Sequence, residues 1–228
     1  MAFRNSGINM IMEFIKDASV VVGLWVVFYK IAAWHLEHRG KRNIELAEET
    51  LALFYEARDV ISWIRSPMGF ENETDSVVQK SNESREEFEA RKNASVVFVR
   101  YNQNKELFSK IQSLRYRFMA QIGKEKARPF DDLNHIIKKI ILSARQLASL
   151  WPERHFANEE EKGKHYERVR KAEDIFWDTS NNDDPINPKV DKIILEIEQI
   201  CKNIIMAKGT LHGLLNWPIK KRAKNETL

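Results

Sequence analysis

A single cysteine, Cys201, leaves this 228-residue chain without an intrachain disulfide or a multi-cysteine metal site. It sits between Ile200 and Ile204 on an apolar helical face, where apolar neighbours argue against a lowered thiol pKa, so it reads as a core residue of a protein from a reducing compartment. Glycine and proline are scarce, 8 and 6 residues, which leaves long stretches unbroken and argues against short strands joined by tight turns. Also missing are a Walker loop, G-x-G-x-x-G, H-E-x-x-H, G-x-S-x-G and a paired C-x-x-C. The common nucleotide, zinc and serine-hydrolase signatures are thereby excluded, and no cofactor is expected. An enzyme with an unfamiliar site is not.

What remains is 43% apolar and 31% charged, a globular composition rich in Leu, Ile, Lys, Glu, Arg and Ala. The expected fold class is all-α, with a single N-terminal transmembrane helix followed by a cytoplasmic helical bundle of about five helices. The formal charge of +4 is concentrated in patches: Lys30, Arg39, Lys41 and Arg42; Lys110, Arg115, Arg117, Lys124, Lys126 and Arg128; and Lys220, Lys221, Arg222 and Lys224. Three regions follow: residues 1–42 with the membrane helix and a basic flank, 43–209 as the bundle, and 210–228 as a basic amphipathic tail.

Residues 18–34 read A-S-V-V-V-G-L-W-V-V-F-Y-K-I-A-A-W, with Lys30 the sole charge. At about 1.5 Å per residue this run covers roughly 25 Å of helix against a hydrocarbon core of about 30 Å. Phe14 and Ile15 supply the missing length, and Lys16 and Lys30 are close enough to the ends to snorkel, although Asp17 fits poorly. Trp25, Tyr29, Lys30, Trp34, Arg39, Lys41 and Arg42 are the expected membrane-interface residues. A cleaved signal peptide fits badly, since Glu13 and Asp17 precede the run and Lys30 interrupts the approach to Ala32 and Ala33. A buried soluble helix is the stronger rival, because only residues 18–29 are uninterrupted. The excess of Lys and Arg after the run, against Arg4 and Lys16 before it, places the bundle in the cytoplasm. Sequons at Asn72, Asn82, Asn93 and Asn225 are read as chance in an Asn-rich chain.

Apolar residues recur at three and four from Leu46 to Ile64, with Ser66-Pro67 as the stop. Because Gly40 costs a helix only about 1 kcal/mol relative to Ala, this helix can continue directly from the membrane segment. Residues 68–82 form a polar loop. Ser84-Arg-Glu-Glu87 is a capping box that opens a long helix to Gly123, with a bend or an exposed turn expected at the polar residues 102–105. Pro129-Phe-Asp131 starts a core helix that Trp151-Pro152 stops; residues 158–177 give a weaker, outer helix; Asn187 caps and Pro188 opens the last.

Asp131, Asp132 and His135 have the spacing of a half metal site, but no second carboxylate–His pair accompanies them, and helix capping is the favoured role of the two aspartates. His35 and His38 sit among cations and read as interfacial rather than as ligands. Arg115, Arg117, Lys124, Lys126 and Arg128 are candidates for lipid or partner contact, with a merely solvated face an equal reading and nucleic acid disfavoured. Trp217, Lys220, Lys221 and Arg222 in the tail are further candidates for an anionic leaflet, with a docked core end as the alternative.

The segment E-T-L-A-L-F-Y-E-A-R-D-V-I-S-W-I-R-S-P, residues 49–67, behind a short N-terminal membrane helix resembles uncharacterised bacterial proteins that carry one such helix and a helical cytoplasmic region. The resemblance implies a bacterial source and carries no activity. The functional expectation is a membrane-anchored helical interaction protein, a scaffold, sensor or regulatory subunit whose partners are membrane lipid and another protein or a second copy. A membrane-acting effector, such as a toxin or phage-defence component, is the second reading, and a helical enzyme the third.

Overall fold

The computed structural model describes the backbone of residues 2–206 apart from 71, 153 and 180–182, and side chains from residue 22 onward, with 24, 32, 33 and 36 also outside that description. Among the described residues there are seven α-helices, one single-turn 3-10 helix and no strand. The chain divides into two compact units, Met1–Glu45 and Leu46–Leu228.

The first helix, α1 (Ala2–Arg65), runs through Gly23 and Gly40 without a break, since no proline occurs before Pro67. In the unit Met1–Glu45 its described side chains Val22, Trp25, Val26, Val27, Phe28, Tyr29, Ile31 and Trp34 are all exposed. No helix among the described residues is long and apolar enough to cross a membrane. Phe14, Ile15, Lys16 and Asp17, on which the full expected span depends, lie outside the described side chains.

In the second unit, residues 46–65 of α1 bury Leu46, Ala47, Phe54, Ala57, Ile61 and Ile64, the stripe the periodicity predicts. The expected long helix from Ser84 to Gly123 is instead three helices: α2 (Arg85–Ala94), α3 (Val96–Gln103) and α4 (Lys105–Gln121). Both breaks have the same cause. The Ser95 hydroxyl donates to the Lys92 carbonyl at 2.6 Å, and the Asn104 amide donates to the Arg100 carbonyl at 2.9 Å, so short polar side chains compete with the helix for its own acceptors. The capping box at the start of α2 is present in both halves: Glu87 N–H donates to Ser84 Oγ at 3.1 Å, and Ser84 N–H donates to Glu87 Oε2 at 2.9 Å. Replacing Ser84 with alanine is expected to cost about 1 kcal/mol, read as a lowered denaturation midpoint with an unchanged m-value.

Gly123, at φ 133°, turns the chain out of α4 in a conformation that side-chain-bearing residues avoid. After the 3-10 turn Glu125–Ala127 comes α5 (Arg128–Leu150), which buries Phe130, Leu133, Ile136, Ile137, Ile140, Ala144 and Leu147. The aromatic centre joins three helices, with the Phe130 ring 4.9 Å from Phe54 and 5.2 Å from Phe118. Helix α6 (Glu159–Phe176) buries only Ala172 and Phe176, consistent with a weak apolar stripe. Its cap is Asn158, whose Oδ1 accepts from Glu161 N–H at 2.8 Å. Helix α7 (Asn187–Met206) closes the described chain, with Val190, Ile193, Ile194, Ile197 and Cys201 buried. Desolvation pushes the Cys201 thiol up to about 12, which suits an inert core residue.

Candidate functional site

Two arginines at the end of α1 and on α3 are fully buried, and sequence periodicity alone did not single them out. Arg65, the last residue of α1, donates from Nε to Ile175 O at 2.9 Å and from Nη2 to Asp174 O at 3.1 Å and Trp177 O at 2.6 Å. These are the free carbonyls at the C-terminus of α6, where a cation is favoured by the helix dipole. The same guanidinium meets Asp184 at 3.1 and 2.8 Å and Asn187 Oδ1 at 2.8 Å, and the Arg65 carbonyl accepts from Asp178 N–H at 2.8 Å.

Asp184 completes the arrangement. Its Oδ1 accepts from the backbone N–H groups of Ile186 and Asn187, both at 2.8 Å, and so performs the capping of α7 that the sequence assigned to Asn187. Burial alone would raise this carboxyl; Arg65 and the two N–H donors outweigh burial and hold it at about 2. The side chain expected to cap is engaged elsewhere: Asn187 accepts from Arg65 and donates to Asp178 at 2.9 Å.

Arg100 performs the equivalent task at the C-terminus of α1. Its Nη1 donates to the carbonyls of Trp63 (3.1 Å), Ile64 (3.4 Å) and Ser66 (2.7 Å), and its Nη2 to Met68 (2.6 Å). Nε and Nη2 also donate to Glu73 at 2.6 and 2.9 Å, a bidentate pair on a carboxylate drawn from the loop after α1. The Arg100 hydrogen bonds hold the Glu73 carboxyl below its usual range, against the opposing effect of burial. The guanidinium also stacks over Trp63, 5.3 Å from the ring centroid. Every N–H of Arg100 is thus engaged.

Beside this clasp lies a cavity of about 480 Å³, walled by Phe70, Val96, Trp151 and Trp177, with Glu73, Thr74, Asn93 and Arg100 as polar lining. Trp151 is fixed there by its Nε1–H, which donates to Glu173 at 2.8 Å.

Three of the five basic residues singled out between positions 115 and 128 are paired. Arg115 meets Asp131 at 2.9 Å, Arg128 meets Asp132 at 3.3 Å, and Arg117 meets Glu49 at 3.4 Å. Lys124 and Lys126 are exposed around the 3-10 turn. The capping role given to Asp131 and Asp132 is corrected: α5 begins at Arg128, so both aspartates lie within the helix rather than at its cap, and each pairs with a nearby arginine. His135 Nδ1 lies 3.2 Å from the Asp131 carbonyl, and no group of three or more metal-ligating side chains exists among the described residues. In the first unit, Lys30, Arg39, Lys41 and Arg42 are exposed, and the Trp34 ring packs against His35 and His38 at 5.0 and 5.5 Å. Trp217, Lys220, Lys221 and Arg222 lie outside the described residues.

No family model matches this chain, and no curated protein or solved structure matches it.

Proposed function

We propose that this chain is a membrane-anchored interaction protein, a scaffold, sensor or regulatory subunit whose helical bundle works at the cytoplasmic face of a bacterial inner membrane. The observation that carries the reading is the exposed apolar run on α1. Trp25, Val26, Val27 and Phe28 are consecutive and therefore point to every side of a helix, and all are exposed, Trp25 and Phe28 by 67% and 71%. A helix apolar all round belongs in a core or in lipid. Residues 22–34 cover roughly 20 Å of helix axis, so a span of about 30 Å would draw on residues 14–21 as well.

The flank supports the orientation. Arg39, Lys41 and Arg42 are exposed directly after the run, where anionic headgroups attract cations by about 1 kcal/mol each. An interaction role rather than a reaction is supported by how two of the perturbed carboxylates of the bundle are used. Glu73 and Asp184 are each committed to a buried arginine that holds helix ends.

Fusions of the whole chain at its C-terminus to a fluorescent protein and to an export-dependent phosphatase test the orientation. Fluorescence without phosphatase activity is expected; active phosphatase would reverse it. In the same cells, a photo-crosslinker in place of exposed Tyr116 is expected to capture a protein partner or a second copy. Depolarisation of the cells without any captured protein would replace this reading with a membrane-acting effector.

A further inference from the structure

The 480 Å³ cavity beside Arg100 lies in the second unit, and nothing in the membrane reading depends on it. Its volume is within the range of small-molecule sites, and its walls are mainly π faces and aliphatic carbons: Phe70, Trp151, Trp177 and Val96. The polar lining is Glu73, Thr74, Asn93 and Arg100, of which only Glu73 and Arg100 carry charge. Arg100 contributes no free donor, because Glu73 and the carbonyls of Trp63, Ile64, Ser66 and Met68 occupy all of its N–H groups. Glu73 is differently placed. Oε2 accepts from Arg100 Nη2 and from Phe70 N–H, whereas Oε1 accepts from Arg100 Nε, leaving one of the roughly four lone-pair positions of the carboxylate for a further donor. Aromatic faces beside a carboxylate with an unfilled acceptor position, and a cation already engaged, favour a planar molecule that carries an N–H over an anion, while Thr74 and Asn93 add neutral polar groups.

We propose that this cavity binds a small heteroaromatic N–H donor of the indole or arylamine class, stacked on the tryptophan walls with its N–H directed to Glu73. Two lining residues allow the site to be altered without disturbing the core. Gly69 lines the cavity at an exposed position where a Cβ would meet nothing within 4 Å, so Gly69→Phe adds a ring at the cavity mouth without a clash. Phe70 is 63% exposed, so Phe70→Ala removes a wall at small cost to folding.

The test uses the full chain in amphipol and 19F NMR titration with 5-fluoroindole, 5-fluorobenzofuran and 5-fluoroindole-3-carboxylate. Partition into amphipol gives a linear background common to every variant, and the saturable part is read above it. For 5-fluoroindole a saturable component with a Kd of order 0.1–1 mM is expected, in keeping with a ligand of about ten heavy atoms. 5-Fluorobenzofuran, which replaces the N–H by an acceptor, should bind about tenfold more weakly. The carboxylate should show no saturable binding, Gly69→Phe should abolish that of 5-fluoroindole, and Phe70→Ala should weaken it. No saturable binding of 5-fluoroindole at about ten times that Kd would overturn the site. An isotherm unchanged in Gly69→Phe would place the binding elsewhere and overturn it equally. Benzofuran or carboxylate binding as tight as that of 5-fluoroindole would overturn the ligand class.

Discussion

Replacing Arg65 with methionine is expected to destabilise the bundle by about 3–5 kcal/mol. Methionine roughly keeps the aliphatic stem, so the loss is electrostatic and hydrogen-bonding rather than a matter of volume. The side chains of Arg65 and Asp184 are 0% and 1% exposed, so the aspartate would be left as a buried charge without its cation. The carbonyls of Asp174, Ile175 and Trp177 at the end of α6 would lose a donor at the same time. Urea denaturation followed by circular dichroism reads the change as a lower midpoint. The double variant Arg65→Met, Asp184→Asn should recover part of the loss, since a neutral amide costs less to bury unpaired than a carboxylate.

The same pair sets a pH dependence with a definite sign. The folded Asp184 carboxyl, at about 2, lies below the unfolded value of about 4, so the unfolded state binds a proton first as pH falls. The stability contributed by the pair is therefore complete above about pH 4 and is lost as the solution is acidified towards 2. In Arg65→Met this part of the acid sensitivity should be largely absent.

Replacing Arg100 with methionine is expected to cost about 2–4 kcal/mol, with a more local signature. The arginine is fully buried and its partner Glu73 only 8% exposed, and together they bind the end of α1 to the loop that follows it. Without the guanidinium, the carbonyls of Trp63, Ser66 and Met68 lose their donor, and residues 66–76 should open more often than the helices do. Hydrogen exchange would show this as faster exchange confined to that loop and the last turn of α1. Arg100→Lys should rescue little, because a single ammonium cannot reproduce a bidentate fork and four carbonyl contacts together.

Those two arginines also mark the limit of what periodicity reveals. The helices of the bundle follow from apolar residues at three and four, and the ends follow from local chemistry: Ser84 with Glu87, Asn158, Pro129 and Gly123 each stand at the boundary their side chain or backbone dictates. Arg65 lies four residues after Ile61 and Arg100 four after Val96, so both are cations on an apolar stripe. That position is the signal by which they could have been found. Asp184 gave no comparable sign, since it stands in the run N-N-D-D-P where any aspartate looks like a turn residue. Its role depends on which helix end is brought against it, a long-range fact absent from local sequence. The breaks at Ser95 and Asn104 were half legible: the polar residues 102–105 suggested a bend, whereas Ser95 sits within V-V-F-V-flanked sequence that reads as uninterrupted helix. The pairing of Arg115 with Asp131, sixteen residues apart on two helices, required the fold.

The central claim is that α1 anchors the chain in a bilayer, and fractionation of the expressed protein tests it most directly. Membranes holding the intact chain, and in parallel a variant lacking residues 1–42, are washed with high salt and then with alkaline carbonate. The intact chain is expected to resist both washes while the shortened one is recovered in the soluble fraction. An intact chain released by carbonate, or found soluble from the start, would contradict the anchor and with it the proposed place of the bundle at the membrane.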